Sequence, residues 1–283
     1  MYLDLQPQDI LDEVSYSEHT NTERPGILQN SRVWSSFHPV ATAPGSVFAD
    51  PHGSPWLTEA RVIKLQPIKL VSWDVDGTLY SIPRMKWHLL RMFLSETARG
   101  RGLAAGIELA ALRHYRARIN AARSAGGALD ESFLEQSGRE ALLEVERRWY
   151  GPVIHKTGPW AGVANVMSLL AANGFPQVVL SDYEAAYKLD ALGMADRFAS
   201  IYVGERLGFV KPSPIVFQRV AADFEISTIN LLHIGDRADR DQAGARAAGC
   251  QCLILGRDFQ SFDTLLEQLR SVIPKCFDKA VEI

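Results

Sequence analysis

Cysteine is scarce in this chain: three among 283 residues, Cys250, Cys252 and Cys276, all near the C-terminus. They form neither a C-x-x-C pair nor a zinc-type spacing with histidine, which argues against a disulfide framework or a structural zinc site. Free thiols in a reducing cytoplasm are the expectation. A surplus of charge is missing too, since 30 Lys and Arg stand against 33 Asp and Glu, a formal charge of −3. No global field would hold such a chain on nucleic acid or an anionic membrane, and no pattern of aromatic and basic residues for stacking single strands is present. Long apolar runs are absent, none reaching the roughly 20 residues that cross a bilayer. The start, MYLDLQPQDILDEV, is acidic and lacks the basic and apolar regions of a signal peptide. A cytoplasmic location is therefore expected. Repeats are lacking as well. At 47% hydrophobic and 22% charged residues, the composition is that of a folded chain long enough for one large domain or two modest ones.

Proline is unevenly spread, with seven of fourteen falling in the first 67 residues amid Ser, His, Thr and Asn. Residues 1–66 read as an irregular proline-rich N-terminal arm. Its Trp34, Phe37, Val47, Phe48 and Trp56 are too apolar for a purely solvated linker, so parts of it are expected to pack on this domain or on a second subunit. From Ile68 the grammar changes. The apolar run IKLVSW ends abruptly in Asp74-Val75-Asp76-Gly77-Thr78, the pattern of a buried strand opening into a polar loop. Three later runs repeat it: QVVL before Ser181-Asp182, INLLHI before Gly235-Asp236, and CLIL before Gly256-Arg257. Helical segments alternate with them, at Val163–Ala172, Pro214–Asp223 and Ala243–Ala248. The predicted fold is α/β, a parallel sheet covered on both faces, with its ligand site beyond the carboxyl ends of the strands. Between Met85 and Tyr150 the strand signal vanishes and Ala, Leu, Arg and Glu dominate, interrupted at Gly126-Gly127. This predicts a helical cap at residues 85–150, inserted into a core made of 67–84 and 151–283.

Four clusters carry chemistry. In Asp74-Val75-Asp76-Gly77-Thr78, paired acids at a strand end are costly unless used. Asp74 suits a nucleophile on phosphorus, and Asp76 an acid and base for the leaving oxygen and for water. Gly77 permits a tight turn and Thr78 offers a hydroxyl. An Asp-Gly turn with a second surface acid is the competing reading. Ser181-Asp182 supplies a hydroxyl and backbone N–H groups for phosphate oxygens; equally, Ser181 could cap a helix at Glu184–Leu192. Lys211, before the helix marked by Pro214, is either a solvated lysine or a fixed positive charge for Asp74 and a phosphoryl group. The run Gly235-Asp236-Arg237-Ala238-Asp239-Arg240-Asp241 places Asp236 at a strand end, where with Asp74 it could hold Mg²⁺. There the alternative is a self-neutralised loop whose Asp241 caps the next helix.

Taken together, DVDGT, the serine of LSD, the lysine of GFVKPSP and the GDxxxxD of GDRADRD resemble the four motifs of the haloacid dehalogenase superfamily. The resemblance spans about Ile68 to Gly256. It implies a Rossmann-like core, a helical C1-type cap, and Mg²⁺ held by Asp74, Asp236 and the Asp76 backbone carbonyl, with Asp241 supporting the metal and the lysine. It further implies that Thr78, Ser181, Asp182 and Lys211 surround the phosphate. Two residues depart from the family pattern: Asp182 stands where asparagine is common, and Arg237 where a small hydroxyl residue is frequent. Asp182 adds a negative charge near phosphate unless its side chain points away.

Within that family, Asp76 argues against a dehalogenase, whose second motif acid is replaced. A phosphonate-cleaving enzyme needs a Schiff-base lysine in the cap, where Lys86 alone is available. The expected function is a Mg²⁺-dependent phosphatase that hydrolyses a small phosphorylated metabolite through an aspartyl-phosphate on Asp74. A phosphomutase and a scaffold protein retaining the fold are the alternatives, and a homodimer through the cap or the arm is allowed. The stretch from Arg84 to Arg123 carries nine basic and two acidic side chains. Arg113, His114, Arg116 and Arg118 form either a solvated helix face or a basic lid over an anionic substrate.

Overall fold

Four apolar runs do form strands, and a fifth joins them. In the computed structural model, which describes residues 67–130 and 139–277, the strands are β1 Leu70–Trp73, β2 Gln177–Ser181, β3 Ser200–Val203, β4 Leu231–Gly235 and β5 Gln251–Ile254. All pair in parallel, in the order β3-β2-β1-β4-β5. Every residue of β1, β2 and β4 is buried, as expected where helices cover both faces of a parallel sheet. Alternation of side chains assigns each strand residue to one of two cores. Val71, Trp73, Val179, Leu232 and Ile234 face one core. Leu70, Val178, Leu180 and Leu231 face the other.

The first core is closed by α4, Val163–Ala172, and α9, Phe262–Phe277, through Val166, Met167 and Leu170 on one and Phe262, Leu265 and Leu269 on the other. The second is closed by α7, Ile215–Asp223, and α8, Ala243–Ala248, through Val216, Phe217, Val220 and Ala245. Short helices α5, Ala186–Leu192, and α6, Gly204–Leu207, complete the set around the sheet. The arm expected at residues 1–66 lies outside the described residues.

Between β1 and α4 the chain forms three long helices, α1 Ile82–Ala98, α2 Gly102–Ser124 and α3 Arg139–Thr157. α1 begins where Ser81 accepts a hydrogen bond from the Arg84 backbone N–H and Pro83 occupies the first turn, a position that needs no proline N–H. α2 ends at the glycine pair 126–127, both in the left-handed region that side chains avoid. The helices overrun the expected limits of the cap at both ends, α1 starting before Met85 and α3 continuing through Pro152 to Thr157. Their apolar faces pack on each other and on the sheet side, so no composition change marks the junction.

Two local expectations are corrected. Ser181 does not cap a helix: its Oγ accepts from the Tyr183 backbone N–H at 3.3 Å, and α5 starts only at Ala186. A fifth strand, β3, lies beyond the four expected runs: Ser-Ile-Tyr-Val is an edge strand with only Val203 fully buried, so it lacks the continuous apolar run that marks the others. Among the described residues no helix is long and apolar enough to cross a membrane.

Candidate active site

Strand register brings the polar clusters together. Trp73 is level with Val179 of β2 and Ile234 of β4, so Asp74, one residue on, leaves the sheet beside Leu180 and Gly235. Its backbone N–H still donates to Ile234 at 2.9 Å, holding the residue at the strand end. Asp74 as a whole residue is 7% exposed. One carboxylate oxygen accepts from Lys211 Nζ at 2.6 Å, the other from Thr78 Oγ1 at 3.0 Å. Burial pushes the Asp74 carboxyl well above the usual carboxylate range; Asp241 and Asp236 add to that, while Lys211 opposes it.

Lys211 is fully buried and bridges two acids. Its ammonium also donates to Asp241 Oδ1 at 2.6 Å and to the Leu180 carbonyl at 3.2 Å. Burial alone would lower the lysine pKa, but Asp241 and Asp74 outweigh it and keep the ammonium charged. Asp241 is held in turn by His233 Nε2 at 3.1 Å and by the backbone N–H groups of Asp236 and Arg237 at 3.2 and 2.9 Å. Although burial opposes it, Lys211 and His233 hold the Asp241 carboxyl far below its ordinary value. The residue thus sits inside the π-helical turn Ala238–Gln242 rather than capping a solvent-facing helix. Arg237 and Asp239 do neutralise each other, at 2.9 and 3.0 Å, but on the exposed side of the loop.

Asp76 belongs to a different environment. Its Oδ2 accepts from Lys188 Nζ at 2.7 Å, and its Oδ1 from the Tyr80 hydroxyl. Lys188 comes from α5 and is completely buried. Arg116, from α2, approaches the same cluster; its guanidinium lies 4.5 Å over the Tyr150 ring and 4.9 Å over that of Tyr183, and it pairs with Glu146 at 3.0 Å. Burial raises the Asp76 pKa, yet Lys188 and Arg116 outweigh burial and bring it below the ordinary value.

Asp182, the departure noted in the sequence, points its carboxylate at protein groups. Oδ2 pairs with Arg123 Nη2 at 2.8 Å, and Oδ1 accepts from the Lys211 backbone N–H at 2.8 Å. Ser181, Asp182 and Lys211 nevertheless line one small cleft with Asp74, Asp76, Asp236 and Asp241. All the residues expected to act converge there except Thr78, which is buried behind Asp74 with its hydroxyl spent on it.

A family model described as haloacid dehalogenase-like hydrolase matches residues 68–249. The chain belongs to that family. Among relatives of this haloacid dehalogenase-like hydrolase, a phosphoglycolate phosphatase from Pseudomonas fluorescens (strain Pf0-1) is 28% identical over 230 residues, covering 76% of this chain and 82% of the relative. Another phosphoglycolate phosphatase, from Chromobacterium violaceum, is 30% identical over 217 residues, covering 72% and 91%. Among solved structures, the magnesium-bound HAD-hydrolase YfnB from Bacillus subtilis is 17% identical, with a TM-score of 0.51 over 72% of this chain and 99% of that one. That likeness concerns the fold alone.

The acids of this hydrolase fit a hard divalent cation. Carboxylate oxygens of Asp74, Asp236 and Asp241 lie within 4.8 Å of one another. Asp236 Oδ1 is buried with no hydrogen-bond partner among the described residues, and burial with Asp241 nearby pushes its carboxyl up to about 6. Oxygen donors with uncompensated charge are the ligand set that Mg²⁺ takes. Gly77, at φ +105°, makes room for this: a Cβ there would meet Asp236 Oδ2 at 2.2 Å. Asp76 can offer such an ion only its backbone carbonyl, because its carboxylate is engaged by Lys188 and Tyr80.

Sequence reasoning passed over Lys188, Tyr80, Glu146 and Arg123. A lysine in mid-helix and a tyrosine two residues after a motif look like ordinary surface or core residues. Arg116 was singled out by the basic cluster with Arg113, His114 and Arg118, whereas Arg123 shared only the general basic bias of that stretch.

Proposed function

We propose that this hydrolase is a Mg²⁺-dependent phosphatase that cleaves phosphate monoesters of small metabolites through an aspartyl-phosphate on Asp74. The observation that carries the reading is the Lys211 ammonium held between Asp74 and Asp241 beside the unpartnered oxygen of Asp236. Fixed positive charge next to a carboxylate nucleophile is what phosphoryl transfer, mostly positioning and charge stabilisation, requires. A bound Mg²⁺ would be held by Asp74 and Asp236, with Asp241 supporting, and would neutralise phosphate oxygens.

In this reading Asp74 Oδ attacks phosphorus as the ester oxygen leaves, and Asp76 gives that oxygen its proton. Asp76 then takes a proton from the water that attacks the aspartyl-phosphate, releasing phosphate and restoring Asp74. Ser181 and Lys211 hold the phosphoryl oxygens. Asp76 beside Lys188 is ionised, the form suited to the second step. For the first step it must carry a proton, so the Lys188 contact has to be offset as the substrate binds.

The naming of relatives as phosphoglycolate phosphatases supports a substrate that carries a carboxylate beside its phosphate. Arg116, whose charge lowers the Asp76 pKa, is the cation assigned to that carboxylate in this reading. The unpaired Cys250 and Cys252 suit a reducing cytoplasm. The test is turnover of phosphoglycolate and of an aryl phosphate with and without Mg²⁺. Chelation should stop both, and Asp74→Asn should lower kcat by about 10³-fold or more with the fold intact. Mg²⁺-dependent turnover persisting in Asp74→Asn would overturn the reading.

A further inference from the structure

One buried arginine of the helical insertion reaches the main chain of the catalytic loops. The Arg123 side chain, at the C-terminal end of α2, is 8% exposed, as is nearly so its partner Asp182 at 7%. Its Nη2 pairs with Asp182 Oδ2 at 2.8 Å, while its Nε donates to the Lys211 carbonyl at 2.9 Å. Nη1 is held by Asn120. Since Asp182 Oδ1 accepts from the Lys211 backbone N–H, one guanidinium and one carboxylate together bind both main-chain polar groups of Lys211. Its ammonium is the group that bridges Asp74 and Asp241.

The same region is fastened a second time. Val210 N–H donates to Gly127 at 2.7 Å, Leu129 N–H donates to Gly208 at 2.8 Å, and Ala128 bridges Phe209. A Cβ at Gly127 would stand 2.4 Å from the Val210 carbonyl, so the close approach depends on glycine there. The chain leaving α2 therefore lies directly on the residues that lead into Lys211.

Asp182 follows Ser181 in the cleft and brings a carboxylate to a place where an anion is to bind. Unpaired, it would repel that anion across a low-dielectric site. We propose that Arg123 is a positioning residue: it neutralises Asp182 and, through Asp182 and the Lys211 carbonyl, holds Lys211 against Asp74. The helical insertion then supplies part of the phosphate site and is more than a cover over it. This rests on the phosphatase reading of the cleft. The planar fork of arginine matters because one side chain must serve two acceptors at once.

The test compares the full-length wild type with Arg123→Ala, Arg123→Lys and the double variant Arg123→Ala/Asp182→Asn. Inorganic phosphate binding in the presence of Mg²⁺ is measured by calorimetry, alongside kcat and KM for an aryl phosphate and melting by circular dichroism. Arg123→Ala should weaken phosphate binding about tenfold or more, because a like charge is left uncompensated. Asparagine at 182 keeps the acceptor for the Lys211 N–H and removes the charge, so the double variant should recover to within about threefold of wild type. A role in packing alone cannot produce that rescue, since the second substitution restores no buried contact. Unchanged phosphate affinity in Arg123→Ala, or a double variant as weak as the single, overturns the proposal. If Arg123→Ala does not fold, Arg123→Lys decides: the charge stays and the fork is lost. Phosphate affinity should then hold within about threefold while kcat falls about fivefold or more, and an unchanged kcat overturns the proposal. A wild type that binds phosphate without hydrolysing esters refutes the phosphatase reading and leaves the affinity test of Arg123 standing. One that neither binds phosphate nor turns over refutes both.

Discussion

Asp74 and Asp76 are separated by one residue, yet they face two differently built halves of the cleft. On the sheet side, Asp74 and Asp236 lie at strand ends, Asp241 in the π-helical turn after β4 and Lys211 in the loop before α7, and burial drives the Asp74 carboxyl up. On the helical side, Asp76 meets Lys188 from α5 and Arg116 from α2 among the rings of Tyr80, Tyr150 and Tyr183, and its pKa is driven down. The same residue type is thus set to opposite protonation tendencies within one loop, in the reverse sense to a ready nucleophile and acid, so in the proposed reaction both carboxyls must be shifted as the substrate binds. In the proposed reaction the sheet side is common to every ester, and the helical side would face the leaving group, so substrates should differ there.

Perturbing each side should break the molecule in a different manner. Lys211→Met is expected to be the most severe, because it leaves Asp74 and Asp241 buried without their shared cation. A loss of about 3–5 kcal/mol in denaturant unfolding should accompany a fall in kcat of about 10³-fold for every ester tried. A variant that retained activity toward any phosphate ester would show that the sheet side is not common to the reaction.

Lys188→Met removes the cation from Asp76 and should cost less, about 2–3 kcal/mol, since Asp76 keeps its hydrogen bond to Tyr80 and a 19% exposed side chain. Its kcat should fall about 10- to 100-fold, less than the roughly 10²- to 10⁴-fold that a positioned proton donor contributes, because Asp76 itself remains. Loss of stability without any change in kcat would mean that Lys188 serves folding alone. Arg116→Ala is expected to act more narrowly, raising KM for phosphoglycolate about tenfold while leaving an aryl phosphate nearly unaffected, as loss of a charge-assisted contact would. Equal effects on both substrates would erase the distinction between the two sides. The smallest effect lies away from the cleft. Burial pushes the Cys250 thiol up to about 12 and raises Cys252 as well. Alkylation by iodoacetamide at about pH 7.5, followed by mass spectrometry, should leave both unlabelled in the folded enzyme. Rapid labelling would mean that the edge of the sheet at β5 opens readily.

The two sides also differ in how far they could be read from the residues in order. Asp74, Ser181 and Asp236 each sit where an apolar run stops, and Lys211 precedes a proline-marked helix. That local contrast locates the strand ends, because a buried strand must become polar where it leaves the sheet. Lys188 has no such mark. It lies 112 residues from Asp76 in the chain, inside a short helix, and its spacing there is that of any surface lysine. The pairing of Arg123 with Asp182, 59 residues on, is similarly silent. The unusual acid at 182 was visible as a departure, but its answer was on another helix. The edge strand β3 escaped because half-exposed Ser-Ile-Tyr-Val lacks the burial that makes an apolar run distinctive.

By itself, then, the order of residues determined the alternating elements, the parallel sheet and the polar ends of β1, β2 and β4 that line the cleft, since hydrophobic periodicity and turn residues act over a few positions. Tertiary structure alone decided that Asp76 is clamped by Lys188, that Asp182 turns from the anion toward Arg123, and that the helical insertion grips the Lys211 loop. Those choices depend on which buried charges meet. A charge taken out of water must find its partner wherever the fold places one, at whatever distance along the chain.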